Sequence, residues 1–541
     1  MSKQNSFMKN ASFLMMASLV SRIIGLLYRA PLQTVVGSVG MGYYAFASNV
    51  YVILLLISSY SIPMAVAKVI SERLALKQYR NADMVFRGSL IYAAIVGGIA
   101  CLLAVFGGKI LLPSNQQEAT LALQLLGPTI FLSSILGVFR GYFQAHNTML
   151  PTSISQILEQ VGNAIVSVLA AWLFIKSFAT DDDTSRAIYG AAGGTLGTGA
   201  GVLIGLLFML FVYAVNKKTI TRQVANDKSP EQESMRQVLK IILLMVTPVI
   251  FSTCVYNAGG YIYSYLYSTL MGRVGLDKDI ISSLYGEYSN CFISLINIPL
   301  ALSSASSSAM LPEVSALYTR KDIRGVNEKV NTAIKLTMFI CIPAAVGLGV
   351  LAYPIMEILF PSSSAVAGDL LLFGAVSVIF SALSTITNGV LQAIGKPRIP
   401  LRNAAISLAA NVGILAIILW VFPDLSIYAV LLVYVLFAFC MCILNQLSMR
   451  KYLGYKNQFR EAYEKPFLAA VGMGIAAWIL YYGLHLLIPM RIVCLGIAVI
   501  AAIIVYLILF VIASKTSEEE LGKFPFGRYA VKFLRVIKIY R

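Results

Sequence analysis

Ile492 to Ala513 reads IVCLGIAVIAAIIVYLILFVIA, a run without a charge, an amide or a proline. A helix crosses a hydrocarbon core with about 20 mostly apolar residues, so this run is long enough to span a bilayer. The same reading, carried back toward the N-terminus, finds thirteen more such segments. They lie at approximately 11–34, 45–67, 88–108, 120–139, 153–175, 188–215, 241–269, 284–311, 333–353, 368–394, 403–421, 425–447 and 467–486. The expected fold class is all-α, a polytopic membrane protein with 14 transmembrane helices. The segment around Val238 to Leu270 is long enough to bend or tilt at Pro248.

Composition agrees. The 541 residues are 58% hydrophobic and only 12% charged, against about 45–50% apolar and roughly 25% charged in a soluble chain. An ordinary soluble enzyme, a disordered tail and a nucleic-acid-binding domain are excluded, and no nucleic-acid partner is expected. The 42 Lys+Arg against 24 Asp+Glu leave a net charge of +18, gathered in short islands between apolar runs.

Those islands give an orientation. With the N-terminus inside, 34 of the 42 bases fall on the cytoplasmic side and 6 on the other (Lys109, Lys176, Arg186, Arg273, Lys278, Arg491). Positive charge is retained on the cytoplasmic face, so both termini are expected there. The last 2 bases, Arg22 and Arg29, lie inside the first segment. That segment is no cleavable signal, because it contains Arg22 and no small-residue cleavage site follows.

Little else offers chemistry of the usual enzymatic kind. The seven cysteines are odd in number, sit in or beside apolar runs, and read as buried thiols. Two histidines, His146 and His485, cannot make a zinc site. Gly389 to Lys396 has one residue too many for a nucleotide-binding P-loop, and Pro397 stands where Ser or Thr is needed. No cofactor is expected.

The chain repeats itself. Gly141-Tyr-Phe-Gln144-Ala145 leads to Pro151, and Gly389-Val-Leu-Gln392-Ala393 leads to Pro400; Ser71 to Arg80 resembles Ser315 to Arg324. Six helices separate the copies, and an even number keeps both in one orientation. The expected organisation is two parallel-repeat six-helix lobes, 1–235 and 236–450, followed by two extra helices and a basic amphipathic tail in 451–541. Transporters that rock two halves about a cavity are built this way.

Arg22 and Arg29 are the sharpest functional signal. Seven residues apart, they lie two turns along one helix face with Ser18 and Gly25. An arginine at mid-bilayer costs about 2.5–3.5 kcal/mol on insertion scales, so two on one face do not persist toward lipid. One reading has Arg29 snorkelling to the outer headgroups and Arg22 pairing with a carbonyl or carboxylate. The other is a cationic cavity wall, because the planar guanidinium fork matches phosphate oxygens. In the fifth segment Gln156, Glu159, Gln160 and Asn163 share a face. Glu159 reads as the counter-ion of Arg22, as a protonation or cation-coupling site, or as a structural ion pair. Further polar candidates are Glu287 and Asn290, the tyrosines from Tyr256 to Tyr267, and the serines from Ser303 to Ser308, the last reading first as close helix packing. Gly193, Gly197, Gly201 and Gly205 read as a smooth packing face. The loop bases serve topology and contact anionic membrane lipids, while Lys68 and Arg140, nearest the helix ends, are candidates for the inner mouth of the cavity.

Ser21-Arg22-Ile-Ile-Gly25-Leu-Leu-Tyr28-Arg29-Ala-Pro31 resembles the first helix of the MurJ/SpoVB/YtgP group of the multidrug/oligosaccharidyl-lipid/polysaccharide (MOP) exporter superfamily. Ile62-Pro63 to Glu72, Pro151 to Gln160, Leu311-Pro312-Glu313 to Asp322, Pro343 to Gly347 and Gln392 to Pro397 match in order and spacing, and together they fit the SpoVB-like branch. The resemblance implies a flippase of the bacterial cytoplasmic membrane that moves undecaprenyl-diphosphate-linked sugars, typically lipid II, to the outer leaflet for peptidoglycan synthesis. It implies an arginine-bearing cavity in the N-terminal half, with Arg22 and Arg29 on the matching positions, and a groove for the prenyl tail near helices 13 and 14. The chain departs from the proteobacterial pattern at Tyr44, where that pattern is acidic, and at Lys68, the nearest base to its second-helix arginine. Near the eighth helix Glu287 and Asn290 stand without the pattern's arginine.

The expected function is therefore alternating-access flipping of lipid II, coupled to the membrane potential or a monovalent cation, with cell-wall synthesis proteins as partners. The alternatives are a flippase for another lipid-linked polysaccharide repeat, a multidrug or organic-cation extruder, and a non-transporting scaffold.

Overall fold

The computed structural model describes residues 20–146, 148–227, 229 and 233–514, with isolated positions 518, 531, 532 and 535 of the tail. Among these residues there is no strand. Eleven helices are long and apolar enough to cross a membrane, or 13 if each of two bent pairs is one span. The protein is thus a multi-pass membrane protein of all-α fold. Each expected segment from the second to the fourteenth falls on one of these helices. The first lies partly outside the described residues, as do Ser18 and most of the basic tail.

The chain divides into two compact units, Met1–Asn290 with Leu419–Asp424, and Cys291–Ile418 with Leu425–Arg541. Packing thus extends the first unit past residue 235, where the sequence repeat alone places a boundary.

In the first unit, α1 (Arg29–Leu55) follows directly on a helical stretch from Val20 to Leu27. The loop expected between the first two segments is reduced to one residue, Gly37, at φ 76 and ψ 167. Only glycine takes this conformation without a Cβ clash, so a single residue interrupts the helix. A π-helical turn, Leu56–Tyr60, leads into α2 (Ile62–Ala75), whose Pro63 sits in the first turn, where its missing N–H costs nothing. Then come α3 (Tyr79–Phe106), α4 (Thr120–Ala145), α5 (Leu150–Phe178), α6 (Asp183–Ala225), α7 (Met235–Val274) and α8 (Lys278–Gly286). Ser234 and Gln237 form a capping box that starts α7, and Gly275 in the left-handed region ends it. α7 bends by 45° between Phe251 and Thr253, close to Pro248.

The core of this unit gathers Val66 and Ile70 of α2, Val85 and Phe86 of α3, Phe139 and Tyr142 of α4, Met209 of α6, and Val238 and Ile242 of α7. The glycine row of α6 is a packing face, as its spacing predicts. A Cβ at Gly193 would meet the Ala170 carbonyl, at Gly197 the Ser167 backbone, and at Gly201 the Glu159 carbonyl, all on α5. Removing the side chains lets the two backbones touch, and dispersion over that contact replaces the hydrophobic drive that lipid does not provide.

In the second unit, α9 (Ile293–Thr319) and α10 (Ile323–Val350) precede the short α11 (Ala352–Leu359). α12 (Ala365–Gly374) and α13 (Ser377–Ala393) form one run bent by 47°, followed by α14 (Arg398–Val421) and α15 (Ser426–Leu453). The serine run of α9 is helix packing: Ser303 Oγ donates to the Ala382 carbonyl at 3.0 Å, and Ser307 Oγ to that of Thr385 at 3.3 Å. The last two helices, α16 (Lys465–Leu487) and α17 (Arg491–Ser514), do not stand apart. Tyr506 of α17 donates to the Phe339 carbonyl of α10 at 2.8 Å, and Phe510 packs edge-on to Phe339 at 4.8 Å.

Candidate functional site

Several of the polar residues singled out in the sequence converge on α5 and on the helix around Arg22 and Arg29, within the first unit. α5 presents two polar edges to two neighbours. One edge meets the helix that carries the arginines. Ser21 Oγ donates to the Gln156 carbonyl at 3.4 Å, Gly25 lies against the Gln160 amide, and Asn163 Nδ2 donates to the Tyr28 hydroxyl at 3.4 Å. Asn163 is held in turn by Ser167, which donates to its Oδ1 at 2.8 Å. Ser21, Gly25 and Tyr28 thus form the stripe that contacts α5. Arg22 and Arg29 follow each of its ends by one residue, roughly 100° further round the helix.

The other edge of α5 meets α4. Arg140 Nη2 lies 2.7 Å from Glu159 Oε2, and Arg140 Nε donates to Ser155 Oγ at 3.0 Å. The two charged side chains keep only 15% and 22% of their exposure. This corrects one reading of Glu159: its partner is Arg140, not Arg22. A helix face as wide as Gln156 to Asn163 reaches two neighbouring helices, and the carboxylate lies at the α4 edge. In the second copy of the glycine motif, the place of Arg140 is taken by Asn388. Its Oδ1 accepts from Asn445 Nδ2 at 2.7 Å, and Asn445 accepts from Asn403 at 2.9 Å. The charged version of this contact belongs to the first copy.

The two first-helix arginines differ in surroundings. Arg29, half-buried, donates from Nη1 to the Ser289 carbonyl at 3.4 Å. Ser289 belongs to the π-helical turn Glu287–Phe292 after α8. Beside it Asn290 bonds Gln33, and Ser38 Oγ donates to Glu287 Oε1 at 3.4 Å. Glu287 and Asn290 are buried to 1% and 2% exposure, so a carboxylate and an amide lie deep against the first half of α1. Arg22 is exposed, and among the described residues its guanidinium has no ion pair or hydrogen bond. Its five N–H donors therefore have no acceptor among the described residues.

Lys68 is exposed on α2, and its ammonium makes no bond to this group among the described residues. Sequence reasoning passed over Tyr28, Gln33, Ser38 and Ser155. Ser155 had a signal, since it precedes Glu159 by four residues and shares its edge. Gln33 had a weaker one, an in-span amide one turn beyond Arg29. No group of three His, Cys, Asp or Glu side chains is placed to hold a metal ion among the described residues.

Comparison with known proteins gives the family and the fold. The family model described as "Polysaccharide biosynthesis protein" matches residues 7–318, and the MatE model matches 289–418. The chain is 23% identical over 436 residues to the lipid II flippase MurJ of Bacillus subtilis (strain 168), covering 76% of each protein. It is 24% identical over 367 residues to stage V sporulation protein B of the same organism, covering 68% of each. In three dimensions it resembles a lipid II flippase MurJ in an inward closed conformation, with a TM-score of 0.66 at 16% identity over 93% of this chain and 98% of that one.

Proposed function

We infer that the protein is a flippase: the chain belongs to the polysaccharide biosynthesis protein family, and in its first unit the Arg22 guanidinium has no counter-ion among the described residues. The protein is a transporter, not an enzyme, and it moves a lipid-linked sugar precursor across the membrane. We assign it lipid II, the cargo named for the MurJ relative, carried from the inner to the outer leaflet of a bacterial cytoplasmic membrane with both termini cytoplasmic.

The observation that carries the reading is the state of Arg22. Glu159, the carboxylate that would neutralise it, is held by Arg140 at 2.7 Å. Arg22 is left to bind the diphosphate through paired charge-assisted hydrogen bonds, with Arg29 one turn pair further along the same helix. Gly25, Gln156 and Asn163 shape the wall between them, and Glu287 and Asn290 fix the ground on which Arg29 rests. Arg140 and Glu159 line the same lobe toward its inner mouth with Lys68. Sugar and peptide groups pass through the cavity while the prenyl tail stays in lipid. The driving force is the membrane potential or a monovalent cation gradient; each charge moved gains about 2.3 kcal/mol per 100 mV. Anionic lipids and cell-wall synthesis proteins are its neighbours in the membrane.

A second reading keeps the mechanism and changes the cargo to another lipid-linked polysaccharide repeat, which the family's own description favours. Purified protein in vesicles separates the two. Labelled lipid II reaching the outer leaflet supports the first reading, and transport of a different polyprenyl-diphosphate glycan alone supports the second. In a flippase-depleted strain, full rescue by Arg22→Ala/Arg29→Ala would sink the role given to the arginines.

A further inference from the structure

A cavity of about 430 Å³ lies in the first unit, and none of the arginine-site residues lines it. Its walls are the end of α4, the turn into α5, and roughly the last four turns of α6. The lining is mixed: Phe143, Leu150 and Val212 are apolar, and His146, Asn216 and Gln223 are polar. His146 Nδ1 lies 2.9 Å from the Tyr142 carbonyl oxygen, which only accepts, so the neutral ring turns Nε2 outward as an acceptor. Asn216 spends one amide hydrogen on the Val212 carbonyl at 2.8 Å and keeps the other. Lys217, Lys218 and Arg222 are exposed on the same stretch of α6. Asp83 lines the adjoining hollow, but Arg87 pairs it at 2.8 Å, so the local field stays positive.

We propose that this cavity binds a phosphoglycerol lipid of the surrounding leaflet. The amides of Asn216 and Gln223 donate to the phosphate, and a glycerol hydroxyl donates to His146 Nε2, while the exposed bases of α6, which do not line the cavity, add a positive surface potential around it. One acyl chain leaves past Leu150, which is half exposed and open to the bilayer. The volume is at the small end of ligand pockets, about 300–1,000 Å³, and accommodates a glycerophosphate head. The position agrees, because α6 changes here from an apolar span to the basic residues that mark a membrane surface.

Native mass spectrometry of the full-length, delipidated protein tests it, with phosphatidylglycerol, phosphatidylethanolamine or a polyprenyl diphosphate added back. Retention of one phosphatidylglycerol in preference to phosphatidylethanolamine is expected. Asn216→Leu/Gln223→Leu should weaken it about tenfold or more, the effect of losing two hydrogen bonds to a charged group. Thr219→Trp, which fills the space instead of removing donors, should do the same. Equal retention of both phospholipids by the unmodified protein overturns the proposal with no variant needed. So does unchanged retention in both variants, or displacement of the phospholipid by the polyprenyl diphosphate at equal concentration, which would give the cavity to the cargo.

Discussion

Arg140 and Glu159 join α4 to α5 through a 2.7 Å ion pair, and Ser155 accepts a second hydrogen bond from the same guanidinium. The pair takes Glu159 away from Arg22, whose guanidinium has no ion pair or hydrogen bond among the described residues. Removing one partner of a buried pair costs about 3–5 kcal/mol. Both side chains here keep some exposure, and screening brings the expected loss for Glu159→Gln to about 1–3 kcal/mol. The swap Arg140→Glu/Glu159→Arg should recover part of it. Thermal unfolding of the parent, Arg140→Glu, Glu159→Arg and the double swap gives the coupling, and a Glu159→Gln without effect on stability would remove the pair's structural role.

The first-helix arginines should separate in their effects. Arg29 holds the Ser289 carbonyl, so Arg29→Ala is expected to lower both the melting temperature and cargo transport. Arg22 holds nothing among the described residues, so Arg22→Ala should lower transport with the melting temperature nearly unchanged. Arg22→Lys keeps the charge but loses the planar fork, and should transport less than the parent. Vesicle transport and thermal-shift data on the same preparations test this; equal transport by Arg22→Ala and the parent contradicts it.

Close approach of α5 and α6 depends on the absence of a Cβ. Gly197→Leu drives side-chain atoms into the Ser167 backbone, and overpacking costs about 1–3 kcal/mol or more where backbone must move. Gly98→Ala on α3 meets nothing within 4 Å, and should gain about 0.5–1 kcal/mol of helix stability. The yield of folded protein on size exclusion should fall for the first and hold or rise for the second. The same yield from both would deny that the glycine row is a packing face.

Outside the spans, Asp227 accepts from the backbone N–H of Arg80, in the first turn of α3, and of Ser229, both at 2.7 Å. The Arg80 N–H, and then that of Ser229, holds its carboxyl below the usual 3.8. A depressed carboxylate stabilises the fold above its unfolded value and loses that contribution as pH falls through the folded one. Asp227→Leu should therefore melt below the parent at pH 7, with the gap closing only below about pH 3.9. A gap that closes near neutrality would assign the effect to another group.

The sequence by itself determined the class. The run Ile492 to Ala513 and its companions depend on hydrophobic length alone, and length against bilayer thickness is a one-dimensional comparison. The glycine row of α6 was legible for a similar reason, since four-residue spacing fixes one helix face whatever lies opposite. Helices α16 and α17, which repeat counting places outside the two lobes, pack on α10, with Tyr506 and Phe510 of α17 against Phe339. The partner of Glu159 was decided only in three dimensions. Periodicity put Gln156, Glu159, Gln160 and Asn163 on one face about 100° wide, but a face that wide touches two helices. Which residue meets which neighbour depends on how α4 and the first helix are rotated about α5. That rotation is set by the summed packing of whole helices, with the glycine row of α6 fixing one side, and no single spacing along the chain encodes it.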